Sequence, residues 1–389
     1  MKIWLITLLL FYFNIFYAQV NFSGVVKDAY SNEKLIGASV YIPETSIGTL
    51  TDESGLFFLD IPKDAKFVVI SYVGYETIKI LIHHTEKEIS KTILLKERIN
   101  QLNTVEIIAQ QKSKNKKKYL NLFTENFIGT TPFASKCYIK NPDALIFEMK
   151  TIQHGNVLTA SANEPLIIIN ESLGYEIIYE LISFEALLLN NKAAYCNYVG
   201  NAFYKDNINE KKLNTEKILL NRKDAYLGSS LHFLRSLYNG LVYENNFSLK
   251  EFSIEYNDKN KIKEALHSNS LNKLEKATLS RKLHEPPKII LSNTILKEND
   301  IVIENDSIKT IKFKNFIQIN YTKAPPHARY KAEFGVEDNF QKSQINLTND
   351  SVELYENGNY FNPNHLVFRG YMAWKKIADT LPFDYIYTP

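Results

Sequence analysis

Few residues in this chain have types and spacing that could do chemistry. His83-His84-Thr85-Glu86 carries a His-x-x-Glu spacing, which can bring two zinc ligands together. A catalytic zinc also needs a third protein ligand and a base beside the bound water. No partner pattern accompanies the pair, so a solvated strand end is the expected reading and no metal is assigned. A second candidate lies in Asp224–Leu237, where Tyr226, Ser230, Phe233 and Leu237 fall at helical steps. One helix is predicted over about 223–239, with His232 and Arg235 as neighbours three positions apart. Such a pair can hold a carboxylate or phosphate, and Asp224 would join it in a hydrolytic site. Its structural role would be at a helix–sheet seam. Asp52 and Glu53 offer too few oxygens for calcium, which takes six or more, and Asp52 is expected to bond its own turn. Cys137 and Cys196 either pair in an oxidising compartment or stay reduced as small buried hydrophobes. No phosphate loop, serine elbow or HExxH pattern is present, and no cofactor is expected.

The elements that would carry these residues begin after an export leader. Lys2 precedes an apolar run from Ile3 to Phe16, and Tyr17-Ala18-Gln19 offers a cleavage point, so residues 1–18 are assigned as a signal peptide. The run is shorter than the roughly 20 apolar residues of a spanning helix. Losing Lys2 changes the formal charge of +3 to a near-neutral value that gives no reason to propose nucleic acid as a partner. Some 370 residues remain, about enough for two domains. From Val20 to Leu95, short alternating runs are separated by polar turns: Val20–Lys27, Ala38–Ile42, Thr49–Thr51, Leu56–Ile61, Phe67–Tyr72, Thr77–Ile82 and Lys91–Leu95. About seven strands at this spacing predict an antiparallel β-sandwich over residues 19–110.

The spacing Gly24-x-Val26-x-Asp28, Leu35-x-Gly37-Ala38-x-Val40, Gly48-Thr49-x-Thr51-Asp52-x-x-Gly55-x-Phe57 and Tyr72-x-Gly74-Tyr75 resembles the carboxypeptidase regulatory-like domain. That resemblance implies a transthyretin-like sandwich, common in envelope proteins of Bacteroidota-type bacteria. It implies a non-catalytic folding or docking platform. Leu102–Ala109 also resembles the short strand that follows this module in TonB-dependent outer-membrane receptors. A complete receptor is not expected, because 22 strands of about 10 residues would consume nearly all of the 271 residues after Lys118.

Residues 111–118, with Lys112, Lys114, Lys116, Lys117 and Lys118, read as a solvated linker. Lys114, Lys116, Lys117 and Lys118 are the candidate contacts to a partner or to anionic lipid head groups. Residues 119–389 are assigned to a larger α+β domain built mainly on antiparallel sheet. Strands are predicted at 165–169, 175–184, 194–199, 288–292, 300–304, 308–320 and 328–334, with a polar helix or excursion at 257–288. A hairpin turn is predicted at Glu356–Asn359 and a helix over Gly370–Leu381. Several segments, among them His232-Phe-Leu-Arg235 and Gly370-Tyr-Met, are similar to the C-terminal region of uncharacterised Bacteroidota proteins with the same leading module. The expectation is an exported, non-catalytic scaffold or binding protein, in the periplasm or associated with the outer membrane. Its partner would be an envelope protein or glycan, and peripheral membrane association fits the same reading. A hydrolase with its site in 119–389 and an accessory of an outer-membrane transport receptor are the alternatives.

Overall fold

The computed structural model describes residues 20–83, 86–98, 105–153, 155–190, 192–208, 214–255, 259–266, 273–284, 288–305 and 308–388. Strands β1 (Val20–Asp28), β2 (Ser39–Tyr41), β3 (Gly48–Leu50), β4 (Leu56–Ile61), β5 (Phe67–Ser71), β6 (Ile78–Leu81) and β7 (Glu88–Leu95) form two sheets, ordered β4-β1-β7 and β3-β2-β5-β6. Alternation buries one face of β1, β4 and β7, while β2 and β5 are buried on both faces, and Phe22, Val26, Leu59, Val40 and Ile70 fill the space between the sheets. Every pairing is antiparallel except β1–β7, which is parallel. Asp52 closes the turn before β4, its Oδ1 accepting from the backbone N–H groups of Ser54 and Leu56.

Helix α1 (Val105–Phe127) runs through the lysine-rich segment. Tyr119, Leu122, Phe123 and Phe127 stand at helical steps, and the last three are buried against the large sheet. The lysine run is therefore part of a helix rather than an irregular linker. The strand expected at Leu102–Ala109 is helical from Val105 on, and 102–104 lie outside the described residues.

The sheet that α1 covers contains β8 (Cys137–Ile139), β9 (Leu145–Ile152), β10 (Gly155–Ala162), β11 (Leu166–Asn170), β12 (Tyr175–Leu189) and β13 (Lys192–Asp206), ordered β8-β11-β12-β10-β9 with β13 paired to β12. Phe147, Leu158, Phe184 and Tyr179 meet α1 on its inner face. Helices α2 (Thr215–Tyr226) and α3 (Ser230–Tyr238) replace the single helix expected there. The break falls at Gly228, whose φ of +70° a side chain would oppose. Ser229 then caps α3 by accepting from the His232 N–H.

β14 (Phe247–Glu255) leads into α4 (Lys259–Leu266) and α5 (Lys273–His284), then β15 (Lys288–Leu296), β16 (Val302–Asn305), β17 (Ile308–Ile311) and β18 (Phe316–Tyr321). The expected strand at 328–334 is helix α6 (Ala328–Phe334). Ala328, Tyr330, Ala332 and Phe334 alternate as a strand would, but Tyr330 and Phe334 also meet at i,i+4, with ring centroids 4.7 Å apart, and Gly335 ends the turn. β19 (Gln341–Leu347), β20 (Val352–Leu354), β21 (Tyr360–Phe361) and β22 (Leu366–Gly370) complete the sheets β15-β14-β18-β19-β22 and β16-β17-β20-β21. Phe233, Leu234 and Leu237 of α3 pack into the core between them. The hairpin turn at 356–359 forms, with the Tyr355 N–H donating to the Asn359 carbonyl. The helix expected over 370–381 is reduced to α7 (Tyr371–Trp374) and a single 3-10 turn at Ile377–Asp379. No helix among the described residues is long and apolar enough to cross a membrane.

Candidate functional site

Among the described residues, polar side chains meet at a junction of three parts of the chain and along an open recess on the large sheet.

At the junction, the segment after β2 lies along the free edge of β13. The Glu44 N–H donates to the Ala202 carbonyl at 2.6 Å, the Tyr204 N–H donates to the Thr45 carbonyl at 3.0 Å, and Thr45 and Phe203 form a parallel bridge. Glu44 Oε1 accepts from the Ala202 N–H at 2.9 Å, so a side chain stands in for the next strand carbonyl. The outer face of the sheet is sealed here by Tyr41 stacked on Phe203, with centroids 5.1 Å apart, and by Val69. Gly48 permits that approach, because a Cβ there would lie 2.6 Å from the Phe203 ring. Burial pushes the Glu44 carboxyl up to about 7, while the bond from Ala202 pulls it down.

The C-terminal segment crosses the same place. The Phe383 N–H donates to the Glu44 carbonyl at 2.7 Å, and the Asp384 carboxylate accepts from both the backbone and the hydroxyl of Ser46. Arg235 holds this segment from the other side. Its Nε donates to the Asn357 carbonyl at 2.9 Å, Nη1 to Tyr385 at 2.8 Å and Nη2 to Phe383 at 2.9 Å. Asn357 also reaches Asp64, and Lys66 pairs with Glu353 at 2.7 Å, so the β20–β21 hairpin touches the sandwich too.

The sequence-singled residues can now be placed. His232 and Arg235 share α3, but their side chains do different things. The His232 ring is buried among Tyr226, Phe247 and Tyr321, and its Nδ1 accepts from the Gly228 N–H at 3.2 Å. Burial first, then the nearby Lys375, Lys323 and Arg235, lower its pKa to about 4, so the imidazole is neutral at ordinary pH. The Arg235 guanidinium is engaged by the three carbonyls and lies over the Tyr226 ring, 5.7 Å from its centroid. Asp224 lies near Lys375, a buried amine that bonds the carbonyls of Ala225 and Leu227.

Lys114, Lys116, Lys117 and Lys118 lie on α1. Lys116, Lys117 and Lys118 are exposed, and Lys116 pairs with Asp143 at 2.8 Å. In the His83–Glu86 motif, His84 and Thr85 fall outside the described residues. Cys137 and Cys196 are unpaired thiols that burial raises to about 12 and about 11.

The recess lies on the outer face of the large sheet and measures about 350 Å3. Strand register puts Glu148, Thr159, Glu185 and Asn197 in one row across β9, β10, β12 and β13. Tyr195, 52% exposed, stands two residues from Asn197 on the same face. A bulge between Leu181 and Ser183 disturbs the ladder at Ile182, which forms one wall. Sequence reading missed this row, because its polar residues come from four strands scattered over fifty positions and only register aligns them.

Residues 22–107 match the family model of the CarboxypepD_reg-like domain. Over 61 residues the chain is 39% identical to the TonB-dependent receptor SusC of Bacteroides thetaiotaomicron. That stretch is 16% of this chain and 6% of the receptor. Among solved structures, a protein of unknown function from Bacteroides fragilis NCTC 9343 aligns over 90% of this chain and 94% of its own, at 8% identity and a TM-score of 0.17. A 9R-lipoxygenase from Cyanothece PCC8801 aligns over 59% of this chain and 49% of its own, at 10% identity and a TM-score of 0.17. At those scores neither structure bears on the fold.

Proposed function

We propose that this chain, a CarboxypepD_reg-like domain protein of the Bacteroidota type, is a non-catalytic binding protein of the cell envelope whose ligand is a glycan. The observation that carries the reading is the polar row Glu148–Thr159–Glu185–Asn197 with Tyr195 beside it, on a solvent-facing sheet surface. Carboxylate, hydroxyl and amide groups in one row match the alternating donors and acceptors of sugar hydroxyls, and an exposed ring offers a face for the apolar side of a pyranose. The sandwich supplies no part of this row. Its role is to seal the adjoining end of the sheet and hold the junction.

The hydrolase alternative loses its best residues, because Arg235 is committed to main-chain carbonyls and His232 is buried against aromatic rings. An accessory role beside an outer-membrane receptor is the second reading, favoured by the 61-residue similarity to SusC. It is tested by co-purification of the processed chain with a receptor from envelope membranes.

The glycan reading is tested by titrating the processed chain with soluble envelope polysaccharides in a calorimeter. Tyr195→Ala should weaken binding by about tenfold, and Asn197→Ala should weaken it comparably, with unchanged melting. Binding that survives both substitutions, or no binding to any polysaccharide tried, would remove the glycan assignment.

A further inference from the structure

We infer that β15 and the α4–α5 hairpin form a surface that docks on an anionic lipid membrane. β15 is the edge strand of its five-stranded sheet, and it exposes apolar side chains on both faces. Ile289 is 65% exposed, Ile290 51% and Ile295 61%. Register puts Ile289 and Ile295 beside Ile254 and Lys250 on one face, and Ile290 beside Ser253 on the other. The strand is thus an apolar rib along one side of the molecule. Exposed apolar surface of this kind marks an interaction site.

The hairpin between β14 and β15 supplies the charge. Residues 256–287 carry seven basic residues against Asp258, Glu264, Glu275 and Glu285, a local excess of three that equals the +3 of the entire chain. Lys276 of α5 and Lys288, the first residue of the rib, are both exposed. Apolar side chains flanked by basic ones are what an interface of acyl chains and anionic head groups accepts.

The ladder geometry argues against an added strand as the occupant. Between Leu291 and Ile295, three residues of β15 stand opposite the single Glu251 of β14. That bulge breaks the even row of donors and acceptors that a partner strand would need. A lipid surface needs no such row. The inference uses neither the recess nor its ligand, so either can fail without the other.

The experiment is flotation of the processed chain, from Gln19 onward, with phosphatidylcholine vesicles and with vesicles containing about a third phosphatidylglycerol, a content chosen to give a strongly negative surface. The chain should float with the anionic vesicles and not with the neutral ones, and added salt should release it. Lys276→Gln with Lys288→Gln should lower the partition coefficient about fivefold per charge. Ile289→Ser with Ile290→Ser should lower it with an unchanged melting curve. No flotation, or equal flotation with both vesicle types, overturns the inference. So does binding that these variants leave intact but that is lost on replacing Lys116, Lys117 and Lys118, which would move the contact to α1. An acidic protein as the true partner would show as failure to float together with salt-sensitive retention on an acidic protein column.

Discussion

Replacing Arg235 is the sharpest test of how the three parts of the chain are joined. Its guanidinium makes three hydrogen bonds of 2.8–2.9 Å, one to the β20–β21 turn at Asn357 and two to the C-terminal segment at Phe383 and Tyr385. A hydrogen bond to a charged group contributes about 1.5–3 kcal/mol when buried. Arg235 is half-buried and water can replace part of what it gives, so about 1 kcal/mol each is the better figure. Arg235→Ala should then cost about 3 kcal/mol, with some lost packing against Tyr226 besides. For a cooperative unit of about 370 residues, at about 2.1 cal/mol/K of unfolding entropy per residue, that lowers the melting midpoint by about 4 °C.

The assay is urea unfolding followed through Trp374, the sole tryptophan beyond the leader, together with timed proteolysis. Trp374 is buried, its indole N–H bonded to Thr130 and Glu333, so its emission reports the larger part of the molecule directly. The variant should unfold at lower urea and lose residues after about Pro382 to protease before global unfolding. Arg235→Lys, which can keep one bond but not the fork, should fall between. A midpoint shift under about 0.5 kcal/mol, with the C-terminal segment still protected, would refute this account. If that result came with lost ligand binding, the anion-binding role of the His232–Arg235 pair would be the correct one.

The junction also gives a pH dependence with a definite sign. Burial holds Glu44 at about 7 against an ordinary 4.5, so the unfolded chain releases its proton first. Stability from this group is fully present below about pH 4.5 and is lost as pH rises to about 7, by at most about 3 kcal/mol given its partial exposure. Asp379, raised to about 6 by burial, acts in the same direction. His232, lowered to about 4, acts oppositely and costs stability as pH falls below about 6.5. Glu44→Gln should flatten the fall between about pH 5 and 7 in urea midpoints, and an unchanged slope would count against the buried carboxyl. Gly48→Ala should drive a methyl into Phe203 and cost about 1–3 kcal/mol, read as a lower melting midpoint. A neutral result there would mean that the sandwich can slide on the sheet. Lys116→Ala should leave the midpoint where it is, since Asp143 is 93% exposed and its pairing is screened. A clear loss would show that α1 depends on that pair.

The N-terminal sandwich was legible because its signals are local: alternating runs, polar turns and an Asp–Gly turn read within ten residues of one another. The parallel β1–β7 pairing was not, since strand direction depends on a crossing made more than sixty residues later. In the larger part, local signals misled where two periods overlapped. The run Ala328–Phe334 satisfies period two and i,i+4 at once, and the helix stop at Gly335 decided between them. At Gly228–Ser229 a helix stop and a helix start stand side by side, yet the apolar stripe runs through both and read as one helix. Lys116, Lys117 and Lys118 obscured α1 because they are exposed to solvent, while Tyr119, Leu122, Phe123 and Phe127 pack it against the sheet. His232 and Arg235 were correctly singled out as neighbours on a helix. The carbonyls that Arg235 bonds come from residues 122–150 positions away, and no spacing could supply that.

The junction changes what the leading module means in this chain. A docking bead on a lysine linker would keep its own edges and could be removed without consequence. Here Glu44 and Thr45 occupy the β13 edge at Ala202–Tyr204, the Glu44 carboxyl takes a strand carbonyl's place, and Tyr41 covers Phe203. Sheet edges left open recruit other chains, so the sandwich blunts an edge of the large sheet. The C-terminal segment then passes between Glu44 and Arg235, bonding both. Each of the three parts thus satisfies main-chain groups of the other two, and together they cover one end of the outer sheet face. The opposite end, with Thr159, Glu185, Asn197 and Tyr195, is left open. The proposed glycan site is placed in that uncovered half because the other half is closed by the sandwich and the C-terminal segment.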